Sequence, residues 1–187
     1  MPGRIYTQLL GVAYAQNGFV TSADAKALGI NPLRLQDLAR RGTAEKVGHG
    51  LYRLAGIPAT PLDAYMEATL WPHGVRGVLS HETALDLHEL CDVNPARIHV
   101  TVPKAYRPRR EIPKHYVLHG RNLAQEEQTL YEGIPIVTPF RAILDGIERP
   151  LGDRLVDEAI ENAERRGLLR PDELELAKAR VAGLLAV

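Results

Sequence analysis

Residues Phe19 to Leu54 read FVTSADAKALGINPLRLQDLARRGTAEKVGHGLYRL, and their punctuation decides the fold. Thr21 or Ser22 caps a first helix, Ser22 to Leu28, by accepting from backbone N–H groups that lack a partner inside the helix. Gly29 ends that helix, because glycine enters the left-handed conformation without steric penalty. Asn31 caps a second helix, Pro32 to Arg41, and Pro32 suits its first turn, where no N–H is needed. The turn between the two helices is only about three residues long. Gly42 closes the second helix. Glu45-Lys46-Val47 and Leu51-Tyr52-Arg53-Leu54 then form a hairpin through Gly48-His49-Gly50. Helix, tight turn, helix and hairpin, in that order, are the plan of a winged helix-turn-helix.

The second helix would be the reading helix. Leu35, Leu38 and Ala39 recur at i, i+3 and i+4 and face the core. Leu33, Arg34, Gln36, Asp37, Arg40 and Arg41 occupy the other side. Arginine pairs bidentately with guanine, and glutamine or asparagine with adenine, so this face is chemically suited to base edges. The candidate DNA contacts are Thr21, Ser22, Asn31, Arg34, Gln36, Arg40 and Arg41, with Lys46, His49 and Arg53 on the wing. The plainer alternative is an amphipathic helix with a solvated charged face and an ordinary hairpin.

Working outward, Arg4 to Gln16 carries a broad apolar stripe, including Ile5, Leu9, Val12 and Ala13, and predicts a helix packed beneath the module. Ala55 to Thr60, AGIPAT, has the small residues and proline of a joint. The expected domains are therefore residues 1–57, a winged helix-turn-helix, and residues 58–187. Thr60-Pro61 opens a helix to about Trp71, and Val78-Leu79 is a short apolar segment. Ser80 should cap another helix, His81 to Leu90. Arg97 to Val102, His115 to His119 and Ile134 to Val137 read as strands. Thr138-Pro139 begins a helix through Ile147. An apolar stripe containing Leu155, Val156, Ala159, Ile160 and Ala163 marks a further helix ended by Gly167. Pro171 to about Leu185 forms the last, with acids in its first turn. The expected fold class is α+β: the winged helix-turn-helix, then a mixed α/β domain with C-terminal helices.

The 187 residues carry 23 basic and 23 acidic side chains. The balance is uneven along the chain. Up to Ile57 there are 7 Lys and Arg against 3 Asp and Glu; after it, 16 against 20. A basic head fits phosphate contacts, and an acidic remainder fits a protein partner better than nucleic acid. Cys91 is the single cysteine, which excludes an internal disulfide and a multi-cysteine zinc site. Glu89 and Asp92 beside it would raise its thiol pKa, against a catalytic thiolate. No apolar run approaches the roughly 18 residues of a membrane span, and the N-terminus lacks a signal-peptide core. A soluble, cytoplasmic protein is expected.

Enzyme patterns are tested and fail. His81-Glu82 suggests H-E-x-x-H, but position 85 is Leu85. His88 could share a helix face with His81, yet no third ligand is evident. Asp172, Glu175 and Lys178 have nuclease residue types but crowd into one helical stretch. The Gly-Ser pair of nucleotidyltransferases and the phosphate-binding GxxxxGK[ST] loop are absent. No catalytic residue, metal or cofactor is expected. One charged stretch survives. From Arg97 to Arg121 lie seven basic side chains and His99, His115 and His119, against Glu111 alone. Lys104, Arg107, Arg109, Arg110 and Lys114 would form a secondary basic surface. It reads equally as a solvated loop, a second nucleic-acid contact or a surface for an acidic partner.

The blocks G-F-V-T-S-A-D-A-K-A-L-G-I and R-R-G-T-A-E-K-V-G-H-G-L-Y-R-L resemble the AbiEi antitoxin family of type IV toxin–antitoxin (abortive infection, phage defence) systems. V-L-S-H-E-T-A-L-D-L-H-E-L, I-H-V-T-V-P and G-I-P-I-V-T-P-F-R-A-I-L-D continue the resemblance to Asp145. It implies a winged helix that binds double-stranded DNA, the repeats of its own promoter, as a repressor. It further implies a C-terminal domain that counteracts a cognate nucleotidyltransferase toxin. Two rivals stay open: a nuclease or other enzyme whose site is assembled from distant residues, and a protein-interaction module that does not bind DNA.

Overall fold

The computed structural model describes residues 3–149 and 151–183. They fall into two compact units, Met1–Gly77 and Val78–Val187. The class is α+β, as expected.

The first unit runs α1 (Arg4–Ala15), β1 (Phe19–Thr21), α2 (Ser22–Ala27), α3 (Leu33–Arg40), β2 (Ala44–Gly48), β3 (Leu51–Leu54) and α4 (Asp63–Leu70). This order is compatible with a winged helix-turn-helix. Of the two candidate caps for α2, Thr21 acts. Its Oγ1 accepts from the Asp24 N–H at 3.1 Å, and the Asp24 carboxylate accepts from the Thr21 N–H at 2.7 Å. The reciprocal pair is a capping box. Gly29 follows with φ +70°, where a side chain would be strained. Asn31 Oδ1 accepts from the Leu33 N–H at 3.0 Å and so satisfies a donor at the start of α3.

The small sheet has the order β1-β3-β2, antiparallel throughout. Strand β1 was not foreseen: Phe19 and Val20 look like a lead-in to the cap of α2, and only their pairing with Arg53 and Tyr52 makes them a strand. Gly50, at φ +68°, ends the hairpin tip against Ser22. An added Cβ there would stand 3.1 Å from Ser22 Oγ. The core gathers Leu9, Ala13, Val20, Leu35, Tyr52 and Leu54, all buried. Leu38 and Ala39 are only partly buried against it.

The expected joint at Ala55 to Thr60 lies inside this unit, so the boundary belongs later than residue 57. The physical reason is α4, which buries Met66, Ala68 and Thr69. The segment after it is tied back as well. The Gly77 N–H donates to Thr69 O at 2.8 Å, and Arg76 Nη1 donates to Gln16 Oε1 at 2.5 Å.

The second unit runs β4 (Val78–Leu79), α5 (His81–Leu87), β5 (Ile98–Val102), β6 (Tyr116–Gly120), β7 (Gln128–Tyr131), β8 (Ile134–Val137), α6 (Pro139–Glu148), α7 (Asp153–Arg165) and α8 (Pro171–Val181). Its sheet is mixed, in the order β6-β5-β4-β8-β7. β5 and β6 are parallel neighbours, and the basic loop, residues 103–115, is the crossover between them. Thr138 Oγ1 caps α6 by accepting from the Arg141 N–H at 3.3 Å. Ser80 does not cap α5; its Oγ instead accepts from Thr101 Oγ1 at 2.8 Å. The expected end of the last helix at Leu185 lies outside the described residues. Among the described residues no helix is long and apolar enough to cross a membrane.

Candidate nucleic-acid interface

The sequence places Arg34, Gln36, Arg40 and Arg41 on the side of α3 opposite its core residues, and the structure leaves all four exposed. The reason is the helical phase fixed by Leu35, which is fully buried. Two of these arginines share one acid. Arg34 Nη1 lies 3.3 Å from Asp37 Oδ2, and Arg40 contacts Asp37 Oδ1. The arginine side chains stay 57% and 77% exposed. Such solvated pairs are worth about 0–1 kcal/mol, so a phosphate or base edge can take either guanidinium from Asp37.

The structure brings Arg34 and Arg41 to one cleft of about 820 Å³ and adds Arg4 from the start of α1. Arg4 was missed in the sequence because the stripe of α1 speaks only for its apolar side. Thr21, Ser22 and His49 line a second, smaller depression, beside His73 and Arg76. His49 there meets the His73 ring edge-on, with centroids 5.8 Å apart. Gln36 and Lys46 are exposed and line neither cleft. The Thr21 and Asn31 side chains are already engaged as caps.

Arg53 is a correction. It was expected on the wing, facing DNA. It is instead half-buried, with Nη2 donating to Ile57 O and to Asp63 Oδ2, each at 3.1 Å. Its guanidinium lies 5.9 Å from the centroid of the Phe19 ring, its cross-strand neighbour. Alternation along β3 gives the side of the strand, but not the acid on α4 that draws the side chain inward.

Residues 12–55 match the family described as Transcriptional regulator, AbiEi antitoxin. The AbiEi resemblance read from the sequence is borne out over that segment, which runs from within α1 to just past β3. The match supports a general role in the antitoxin and regulator class. The blocks quoted beyond Ala55 lie outside the match. The fold is similar to the crystal structure of the RV2827C protein from Mycobacterium tuberculosis. That likeness covers 97% of this chain and 77% of that one, at 21% identity and a TM-score of 0.50. It concerns the fold alone. No curated protein matches the chain.

The expected secondary basic surface is partly dispersed. Lys104, Arg107, Arg109 and Lys114 are exposed and Arg110 is half-buried. Arg107 Nη1 donates to Lys104 O and Tyr106 O, each at 2.8 Å, which folds the loop on itself. Arg121 leaves the basic group altogether: its guanidinium pairs with Asp145 at 3.3 Å and Glu148 at 2.9 Å. His99 and His119 turn inward beside His81. Two imidazoles thus stand beside His81 that its own helix does not supply.

The other enzyme candidates resolve simply. Cys91 is buried, and burial, then Glu158, Asp86 and Asp92, push its thiol up to about 11. Asp172 pairs with Arg170 at 3.3 Å, and Lys178 with Glu164 at 3.0 Å, on the surface.

Proposed function

We propose that the protein is a DNA-binding transcriptional autorepressor and antitoxin of a type IV toxin–antitoxin system. In this reading the first unit binds repeats in its own promoter, in the cytoplasm. The second unit counteracts a nucleotidyltransferase toxin, and the protein is not itself an enzyme. One coincidence carries the DNA half. The segment that matches the AbiEi regulators, residues 12–55, is the one whose last helix, α3, exposes Arg34, Gln36 and Arg40, with Arg41 just after it. On a solvent-facing helix arginine offers two donors to guanine, and glutamine a donor and an acceptor to adenine; Arg4 and Lys46 add phosphate partners.

For the antitoxin half the candidate surfaces are the loop from Lys104 to Lys114 and the outer side of α7, where Asp157, Glu161 and Arg165 are exposed. Charged rims of this kind act mainly on association rate and salt dependence.

A gel shift of the full chain on its own promoter at low salt tests the first half. Binding should weaken steeply with salt, because phosphate contacts release counterions. Absence of binding at low salt would leave the interaction-module reading in its place. Growth rescue on co-expression with a neighbouring nucleotidyltransferase tests the second half. Rescue should survive Arg34→Ala with Arg41→Ala. Loss of rescue in that folded double variant would assign toxin neutralisation to the first unit instead.

A further inference from the structure

Three histidines distant in sequence meet in the second unit. His81 opens α5, His99 lies in β5 and His119 in β6. β5 and β6 are parallel with Thr101 opposite His119. His99 and Thr101 alternate to one face of β5, so His99 and His119 share that face. The start of α5 is fastened to it: Ser80 Oγ accepts from Thr101 Oγ1 at 2.8 Å, and Thr83 Oγ1 accepts from the His99 N–H at 2.9 Å. His81 itself adopts φ +54°, a left-handed conformation uncommon outside glycine.

One ring nitrogen from each histidine lies within 4.8 Å of the others. His119 Nε2 and His99 Nδ1 are 3.3 Å apart. The His81 ring stacks on His119 with centroids 3.5 Å apart and planes 12° from parallel. In a tetrahedral site with metal–nitrogen bonds of 2.0–2.1 Å, neighbouring ligand atoms are about 3.3 Å apart. The His99–His119 edge already has that length, and the His81 ring must turn out of its stack on His119 to aim a lone pair at the same ion.

A bland reading is a hydrogen-bonded pair of core histidines. It leaves a deeply buried carboxylate oxygen, Asp145 Oδ2, without a hydrogen bond. Buried side-chain polar atoms are nearly always hydrogen-bonded. Among the described residues three such atoms lack a hydrogen bond, and two of them belong here: Glu82 Oε2 and Asp145 Oδ2. Glu82 Oε2 is paired with His99 Nδ1. Asp145 is 2% exposed. Its Oδ1 accepts from Arg141 Nε at 3.0 Å and Arg121 Nη1 at 3.3 Å, while Oδ2 stands 3.5 Å from His81 Nδ1. A carboxylate behind a metal-bound imidazole is the usual device for fixing its ring. An ion on the histidines gives Glu82 Oε2 a second partner and leaves His81 Nδ1 toward Ser80 Oγ at 2.9 Å and Asp145 Oδ2 at 3.5 Å.

We propose that His81, His99 and His119, with Glu82 as a fourth ligand, form a binding site for a divalent late first-row transition metal, zinc foremost, oriented from behind by Asp145. Three imidazoles and one carboxylate suit zinc, copper or nickel, whereas calcium and magnesium take oxygen ligands. Ligand histidines must be unprotonated. The Glu82 side chain is 33% exposed. H-E-x-x-H fails here because the partners of His81 come from two strands, not from the next turn of its helix.

The test uses the full chain, stripped with a chelator and titrated with Zn²⁺ and, separately, Co²⁺. One ion per chain should bind, with a zinc-dependent rise in melting temperature. The cobalt form should show visible bands of a nitrogen- and oxygen-ligated tetrahedral ion, without thiolate charge transfer. His99→Gln, His119→Gln and Glu82→Gln should each weaken zinc binding at least about tenfold, while His88→Gln and His115→Gln should leave it unchanged. Circular dichroism verifies that each variant folds. If the histidine variants unfold, the cobalt spectrum of the natural chain and the Glu82→Gln variant decide. No bound ion and no zinc-dependent melting shift, or undiminished binding in folded His99→Gln or His119→Gln, overturns the proposal.

Discussion

Asp37 on α3 and Asp145 on α6 each sit between two arginines. Around Asp37, the Arg34 and Arg40 side chains are 57% and 77% exposed. Around Asp145 the aspartate side chain is 3% exposed and that of Arg141 6%, and Glu148 joins Arg121 and Arg141 from the next turn. At the surface, water competes for every partner, so the pairs cost little to exchange. In the interior, removing one partner strands a desolvated charge. The first cluster is therefore built to release its arginines to a ligand. The second holds α6 to the residue after β6 and leaves one oxygen of Asp145 facing His81.

The largest effect separates the two clusters directly. Asp145→Ala should cost about 3–5 kcal/mol of stability, because Arg141 stays buried with only part of its pairing. Chemical denaturation measures it. A loss below about 1 kcal/mol would put Asp145 in the same class as a surface pair, and the distinction would fail.

The next effect lies within α3. Leu35→Ala should cost about 2–5 kcal/mol, and Leu38→Ala clearly less, since Leu35 is fully buried and Leu38 only partly. Equal shifts in thermal melting would mean that the helix phase, and with it the outward position of Arg34 and Gln36, is misread.

Third, Arg34→Ala should weaken promoter binding by about 1–3 kcal/mol and relax specificity at one position if it reads a base. Lys46→Ala should weaken all sequences alike and lower the salt slope by about one. Arg53→Ala makes the contrast. Its bonds to Ile57 O and Asp63 are internal. It should lower stability by about 1.5–3 kcal/mol, the range for charge-assisted hydrogen bonds. In folded protein it should leave the salt slope of DNA binding unchanged.

What the sequence made legible follows from range. Caps, glycines and apolar periods act over three or four residues, so Thr21, Gly29, Asn31 and Thr138 announce their helices correctly. The strand β7 escaped because three of its four residues are exposed and carry no alternation to the core. Its one signal was Glu132-Gly133, both at positive φ in a two-residue hairpin turn. The candidate DNA face was legible because one helix carries it. The inward turn of Arg53 was not, because Asp63 lies beyond the supposed joint. Neither was the histidine cluster, since nothing local links residues 81, 99 and 119 until β5 and β6 pair.

The smallest expected effect tests the idea that the Asp37 cluster is built for release. Asp37→Ala removes the acid that Arg34 and Arg40 share. Both pairs are solvated, so stability should change by less than about 1 kcal/mol. Binding should move the other way. In free protein Asp37 competes with phosphate for two guanidinium groups, and on the complex it would stand as a negative charge close to DNA. Its removal should tighten promoter binding, most visibly at low salt where charge effects reach furthest. It should do so for non-specific duplex as well, because phosphate neutralisation carries no sequence information. A filter-binding titration over a salt series reads both. If Asp37→Ala weakens binding, Asp37 is instead positioning Arg34 and Arg40 for the DNA. The surface cluster would then resemble the buried one, a fixed scaffold rather than a reserve of releasable charge.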